Sequence, residues 1–154
     1  MAAKYVFDTN ILINLQRRQP RDIYPSVWLR IDDLMQDGVV ISSVEVFDEL
    51  SRGDDDLSKW AKNRKEYFLP SEISIQRRVR TILSEHRGLI EGGSKANSAD
   101  PFVIALAQEM NCTVVTEEVR TRNPSVPKIP DVCDSYQIRH INFVEFAREM
   151  NFRF

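Results

Sequence analysis

Tyr5-Val6-Phe7-Asp8-Thr9-Asn10-Ile11-Leu12-Ile13-Asn14-Leu15 is the stretch whose reading decides the fold. Lys4 to Asp8 reads as a short apolar strand, and Ile11 to Leu15 continues as a helix beyond a polar Asp-Thr-Asn junction. A strand passing straight into a helix is half of a βα unit, and the pattern recurs. Val39-Val40-Ile41 is a second apolar strand, Ser42-Ser43 starts a helix, and Val44 to Arg52 is that helix. Asp100-Pro101 opens a helix over Phe102–Met110, since proline suits the first helical turn, and Thr113–Thr116 follows as the third clear strand. Strands alternating with helices, and apolar on both faces, predict an α/β fold. The expectation is a three-layer sandwich around a central, mainly parallel sheet.

The remaining segments fit a single domain over residues 1–154. Pro20 and Pro25 bracket a loop, and Trp28, Ile31, Leu34 and Met35 repeat at helical spacing from Ser26 to Gln36. Gly38 is placed to close that helix in the left-handed region. A charged helical insert spans about 54–95, broken near Leu69-Pro70-Ser71-Glu72, with Gly92-Gly93-Ser94 as a flexible joint. A proline-rich loop (Pro124, Pro127, Pro130), a short helix from Asp131 and a last helix around Phe143 to Met150 complete the chain.

No apolar run approaches the roughly 20 residues that cross a bilayer, so no membrane association and a cytoplasmic location are expected. Cys112 and Cys133 belong to no CxxC or Cys/His cluster, which argues against structural zinc and for two reduced core thiols, with a disulfide between them as the lesser alternative. His86 and His140 stand apart and read as packing or surface residues. The net charge of −2 decides nothing about nucleic acid: acids gathered at one site offset basic residues elsewhere.

Ligands of open parallel sheets bind beyond the carboxyl ends of the strands. Asp8 ends the first strand there, and Glu117-Glu118 follow the third clear one. Ser42-Ser43 lead into a helix carrying Glu45, Asp48 and Glu49, and Asp100 starts the helix that feeds the third strand. Acids converging on one edge repel unless a cation lies among them. An all-oxygen set points to Mg²⁺ or Mn²⁺ rather than zinc. Each acid also has a plainer role: Asp8 and Asp100 as helix N-caps, Glu118 as a solvated loop residue. Of the acids on the helix after Ser43, Glu49 flanks the apolar stripe of Val46, Phe47 and Leu50, which makes it the better ligand candidate.

These blocks, in this order, resemble a PIN domain. They are Tyr5-Val6-Phe7-Asp8-Thr9-Asn10, Ile41-Ser42-Ser43 with Glu49-Leu50-x-x-Gly53, Asp100 opening an apolar helix, and Val114-Val115-Thr116-x-Glu118. Ile129-Pro130-Asp131-Val132-Cys133 with Phe143-Val144-Glu145-Phe146 is similar to a sparsely characterised PIN-like branch. The resemblance implies a metal-dependent ribonuclease, commonly the toxin half of a toxin–antitoxin pair. Asp8, Glu49, Asp100 and Glu118 would be its acidic quartet, holding Mg²⁺ or Mn²⁺. Asn10 and Thr116 would orient water or a carboxylate. RNA as substrate, an antitoxin protein as partner and a homodimer are implied with it. The chain departs from the pattern at Glu118, where the family usually has Asp, and in the length of the 54–95 segment.

That segment holds Arg77, Arg78 and Arg80, read either as a solvated helix face or as contacts for an RNA backbone. Other readings fare less well. An aspartyl phosphotransfer enzyme would want a second acid at position 10, where Asn10 stands, and no phosphate-cradling glycine-rich loop exists. The serious rival is a non-catalytic PIN-like module that binds RNA or protein.

Overall fold

The computed structural model describes residues 2–53, 55–89 and 98–154. Five strands form the sheet: β1 (Tyr5–Phe7), β2 (Val40–Ser43), β3 (Phe68–Leu69), β4 (Thr113–Val115) and β5 (His140–Ile141). Their order is β3-β2-β1-β4-β5, and every neighbouring pair is parallel. The helices are α1 (Thr9–Arg18), α2 (Pro25–Gln36), α3 (Val44–Ser51), α4 (Asp55–Lys62), α5 (Ile73–Glu85), α6 (Asp100–Met110), α7 (Ile129–Ser135) and α8 (Phe143–Glu149), with short 3₁₀ turns at Lys65–Tyr67 and Arg87–Leu89.

The order of the strands fixes the layers. The first two crossovers step one way along the sheet, from β1 to β2 and β2 to β3; the later ones return across it to β4 and on to β5. Right-handed crossovers therefore put α1 to α4 on one face and α5 to α7 on the other. The packing agrees: α1, α3 and α4 touch one another, while α6 lies across β1, β2 and β4 with α5 and α7 beside it. α8 joins the first face, where Phe146 meets the rings of Tyr5 and Phe7 edge-on, each at 5.0 Å.

The expected α/β sandwich is present, and its sheet is parallel throughout. The two strands that sequence patterning did not show, β3 and β5, are the edge strands, each of two residues. The stretch read as a helical insert contributes β3 and much of the core: Trp60 packs on Trp28 at 5.1 Å, and Ile75, Val79 and Ile82 are buried on α5. Its Gly92-Gly93-Ser94 joint lies outside the described residues.

Local chemistry sets the helix ends. Ser43 caps α3 by accepting from the Val46 amide at 3.3 Å, and Gly38 closes the turn after α2 at φ 76°. α6 ends at Asn111 in the left-handed region, a conformation asparagine tolerates better than most residues. Both cysteines are buried and free, as expected. Among the described residues, no helix is long and apolar enough to cross a membrane.

Candidate metal centre

β1 and β4 are neighbours, yet the chain leaves them in opposite directions, to β2 and to β5. Their carboxyl ends thus border the switch point of the sheet, where diverging connections open a crevice. Asp8 follows β1 there, and Thr116, Glu117 and Glu118 follow β4.

Asp8 is held from both sides. Its backbone N–H donates to the Val115 carbonyl at 3.0 Å, continuing the ladder by one residue. Oδ1 accepts from the Thr9 amide at 2.8 Å and caps α1, and Oδ2 accepts from the Thr116 hydroxyl at 2.8 Å. The Thr116 oxygen in turn accepts from the Glu118 amide at 3.1 Å and from Asn10 Nδ2 at 3.4 Å. Asn10 Oδ1 accepts from the Glu117 amide at 3.0 Å. The Asp-Thr-Asn junction and the end of β4 are therefore one hydrogen-bonded unit.

Only 3% of Asp8 is exposed. Burial first, then the charge of Asp100, then that of Glu118, push its carboxyl well above the usual carboxylate range. The Thr116 hydroxyl and the Thr9 amide oppose this, and both are neutral. Behind the acids lies Cys133, whose thiol is held protonated by burial and then by the charges of Asp134, Asp8 and Glu118. The structure thus brings both Asp100 and Glu118 within electrostatic reach of Asp8.

Asp100 is 9% exposed and occupies the first position of α6, not its cap. The expectation of an Asp100 N-cap is corrected: Ala99 is the capping residue, and the Asp100 amide donates to Ser98 Oγ at 3.1 Å. The orphan amide of Ala99 is taken by Glu49, whose Oε1 accepts it at 2.6 Å. Glu49 therefore reaches the start of α6 from α3, beside Asp100. Glu118 likewise spends Oε1 on the Ile129 amide at the start of α7, at 3.1 Å. With two glutamates so turned, no three acids, cysteines or histidines among the described residues form a ready metal-ligating group.

The donor set nonetheless suits a hard divalent ion: oxygen ligands only, with the buried Asp8 repelled by both Asp100 and Glu118. Asp8 and Asp100 would hold such an ion, while Glu49 and Glu118 each have one carboxylate oxygen on a backbone amide. Beside Glu118 a cleft of about 240 Å³ is bordered by Thr116, Arg120, His140 and Asn142. Two of its lining residues are held by Asp134, which binds Arg120 at 2.5 Å and His140 Nε2 at 2.9 Å. This trio escaped the sequence reading because its members come from three segments with no shared spacing.

The α5 arginines lie apart from the acids. Arg78 pairs with Glu109 at 2.5 Å, near the end of α6 opposite to Asp100, about 13 Å along the helix axis at 1.5 Å per residue. Arg77 and Arg80 are exposed on other sides of α5. His86 bonds Ser135 at 3.0 Å and stacks edge-on with Tyr136, a packing role.

The FitAcB crystal structure from Neisseria gonorrhoeae is similar in fold, with a TM-score of 0.53 and 19% identity over 90% of this chain and 96% of that one. VapBC2 from Rickettsia felis, crystallised with a promoter DNA fragment, gives a TM-score of 0.49 and 18% identity over 90% and 98% of the two chains. No curated protein matches the chain in sequence. The fold is PIN-like: a five-stranded all-parallel sheet flanked by helices. Residues 5–154 match the family described as a domain of unknown function, DUF4411, and the chain belongs to that family.

Proposed function

We propose that this chain is a divalent-metal-dependent endoribonuclease. The observation that carries the reading is the buried Asp8 carboxyl, repelled by Asp100 and Glu118 at the switch point and eased there by two neutral donors, the Thr116 hydroxyl and the Thr9 amide. Mg²⁺ or Mn²⁺, when bound, supplies Lewis-acid stabilisation of a phosphodiester and a more acidic attacking water. Asp8 and Asp100 bind the ion most directly, because both are nearly buried and short. Glu49 and Glu118 each keep one oxygen on a backbone amide and offer the other. Thr116 fixes the Asp8 rotamer, and Asn10 fixes Thr116 and the β4 exit.

The test is hydrolysis of an unstructured RNA in Mg²⁺ or Mn²⁺, with and without excess chelator. Wild type is expected to cleave; Asp8→Asn and Asp100→Asn are expected to be inactive. Cleavage that survives both substitutions and chelator would falsify the assignment.

One observation favours a second reading, a non-catalytic PIN-like RNA- or protein-binding module. Glu49 and Glu118 already serve as amide acceptors at two helix starts, a structural use that needs no metal. RNA bound tightly by the wild type but left intact in every metal would select it.

The toxin role, with an antitoxin protein as partner, a cytoplasmic location and a homodimeric state, is proposed from the PIN resemblance. Expression of soluble wild type should halt growth, and Asp8→Asn should relieve the arrest. Light scattering of the purified chain tests the dimer.

A further inference from the structure

A groove of about 500 Å³ runs between α1 and α8 and ends beside the acidic site. Ile11, Leu15, Phe143, Phe152 and Phe154 are among the residues that line it. Arg18, Arg148 and Arg153 stand along the same groove, all exposed and none paired with a carboxylate among the described residues. Four arginines elsewhere are paired, Arg64 to Asp32, Arg78 to Glu109, Arg120 to Asp134 and Arg139 to Glu149. Others, such as Arg77 and Arg80 on α5, are exposed like those of the groove, so it is the grouping of three along one groove that sets these apart. The one acid among its described lining residues, Glu117, is occupied as an acceptor from the Phe143 amide, at 3.1 Å, at the start of α8.

Glu117 also joins the groove to the metal centre, since its own amide is held by Asn10, which bonds Thr116 and through it Asp8. The aromatic end is arranged for stacking. Phe152 is anchored edge-on against Phe146 and Phe143 and under the Arg30 guanidinium, while Phe154 meets Phe152 edge-on and leaves 77% of itself exposed. Unpaired cations beside exposed rings are the combination that holds a single strand: phosphates on arginine, bases on aromatic faces.

We infer that this groove seats the single-stranded nucleic acid flanking the bond at the acidic site, with Arg18, Arg148 and Arg153 on its phosphates and Phe154 stacked on a base. The inference rests on the nuclease reading for its choice of RNA. An apolar protein segment is the rival occupant, but the groove's charge is complementary to a polyanion.

The experiment measures fluorescence anisotropy of a labelled oligouridylate of about a dozen nucleotides with the full chain in chelator, so binding is read without cleavage. Arg18→Glu/Arg148→Glu/Arg153→Glu should weaken binding more than tenfold and flatten the log–log salt slope by about 2, near 0.7 for each phosphate that is no longer neutralised. Phe154→Ala should cost about fivefold or more, and Phe154→Trp should restore it. All these side chains are largely exposed, and circular dichroism checks that each variant folds. Absence of wild-type binding overturns the proposal. So does binding indifferent to these changes, or a salt slope that instead follows Arg77→Glu/Arg80→Glu on α5. Groove-dependent binding without hydrolysis in Mn²⁺ removes the nuclease reading but upholds the groove; hydrolysis with groove-indifferent binding does the reverse.

Discussion

The hydroxyl of Thr116 donates to Oδ2 of Asp8 at 2.8 Å, and this bond ties together two chain segments that leave the sheet in opposite directions. Thr116→Val keeps the shape and deletes the donor. It also strands the Glu118 amide and Asn10 Nδ2, which both use the same oxygen. A hydrogen bond to a buried carboxyl oxygen is worth about 1–2 kcal/mol. Urea unfolding at neutral pH should show a loss of that size, and Mn²⁺ affinity should fall with it. An unchanged midpoint would mean that the bond does not organise the site.

Asp8→Asn should make the metal-free protein more stable while leaving it inactive. Folding raises the Asp8 pKa, chiefly through burial and then through Asp100 and Glu118. The folded state therefore takes up a proton there. Asp8's contribution is intact below the carboxylate range of the unfolded chain and is lost as pH rises through the raised folded value. At neutral pH, where the unfolded chain ionises Asp8, folding must either bury that charge or take up a proton, and Asn should relieve on the order of 2 kcal/mol of this cost. The gain should shrink to nothing in acid, where Asp8 is neutral in both states. Thermal unfolding in chelator across pH measures this; a destabilised Asn variant at pH 7 would contradict the electrostatic account.

Adding the cation should reverse that order. A ligand that binds only the folded state at 100 times its dissociation constant stabilises by about 2.7 kcal/mol. Wild type should gain an upward shift in melting temperature with Mn²⁺, and Asp8→Asn and Asp100→Asn should not. Glu49→Gln is the informative partner. Glutamine can still accept from the Ala99 amide, so fold and melting temperature should hold, while loss of the charge weakens Mn²⁺ binding. Undiminished Mn²⁺ response in Glu49→Gln would assign Glu49 to the α6 cap alone.

The residues that were legible in the sequence are those whose role is fixed within a few neighbours. β1, β2 and β4 are buried on both faces, so their apolar runs announce themselves; Asp8 and Glu118 follow such runs, and Ser43 shows its cap chemistry locally. β3 and β5 hold only two residues each at the sheet edges, where His140 is half-buried and no alternation can build up. The contact of Glu49 with Ala99 joins residues fifty apart and depends on where α3 ends relative to α6, which no local pattern encodes. Arg78 was drawn elsewhere by the same kind of distant packing, its charge answered by Glu109. The three convergent acids could be inferred from topology; the directions in which the two glutamates turn could not.

Glu118 depends on a second contact far from the acids, through Gly88. A methyl at Gly88 would lie 2.4 Å from the Ser125 carbonyl oxygen and 2.8 Å from Pro127 Cδ, so only a residue without Cβ lets the Arg87–Leu89 turn seat against that loop. The loop leads directly into α7, whose first amide, that of Ile129, holds Glu118 Oε1. Asp131 pins the same loop by accepting from the amides of Thr121, Arg122 and Lys128, so it cannot yield freely. Gly88→Ala should therefore cost about 1–3 kcal/mol of stability as an overpacking change. It should also lower Mn²⁺ affinity and RNA cleavage by displacing α7 beneath Glu118, although Gly88 touches neither. Urea unfolding and Mn²⁺ titration on the same variant separate the two effects. A fully stable variant would show that the loop has room to move, and a destabilised one with undiminished Mn²⁺ affinity would show that Glu118 is positioned without help from α7.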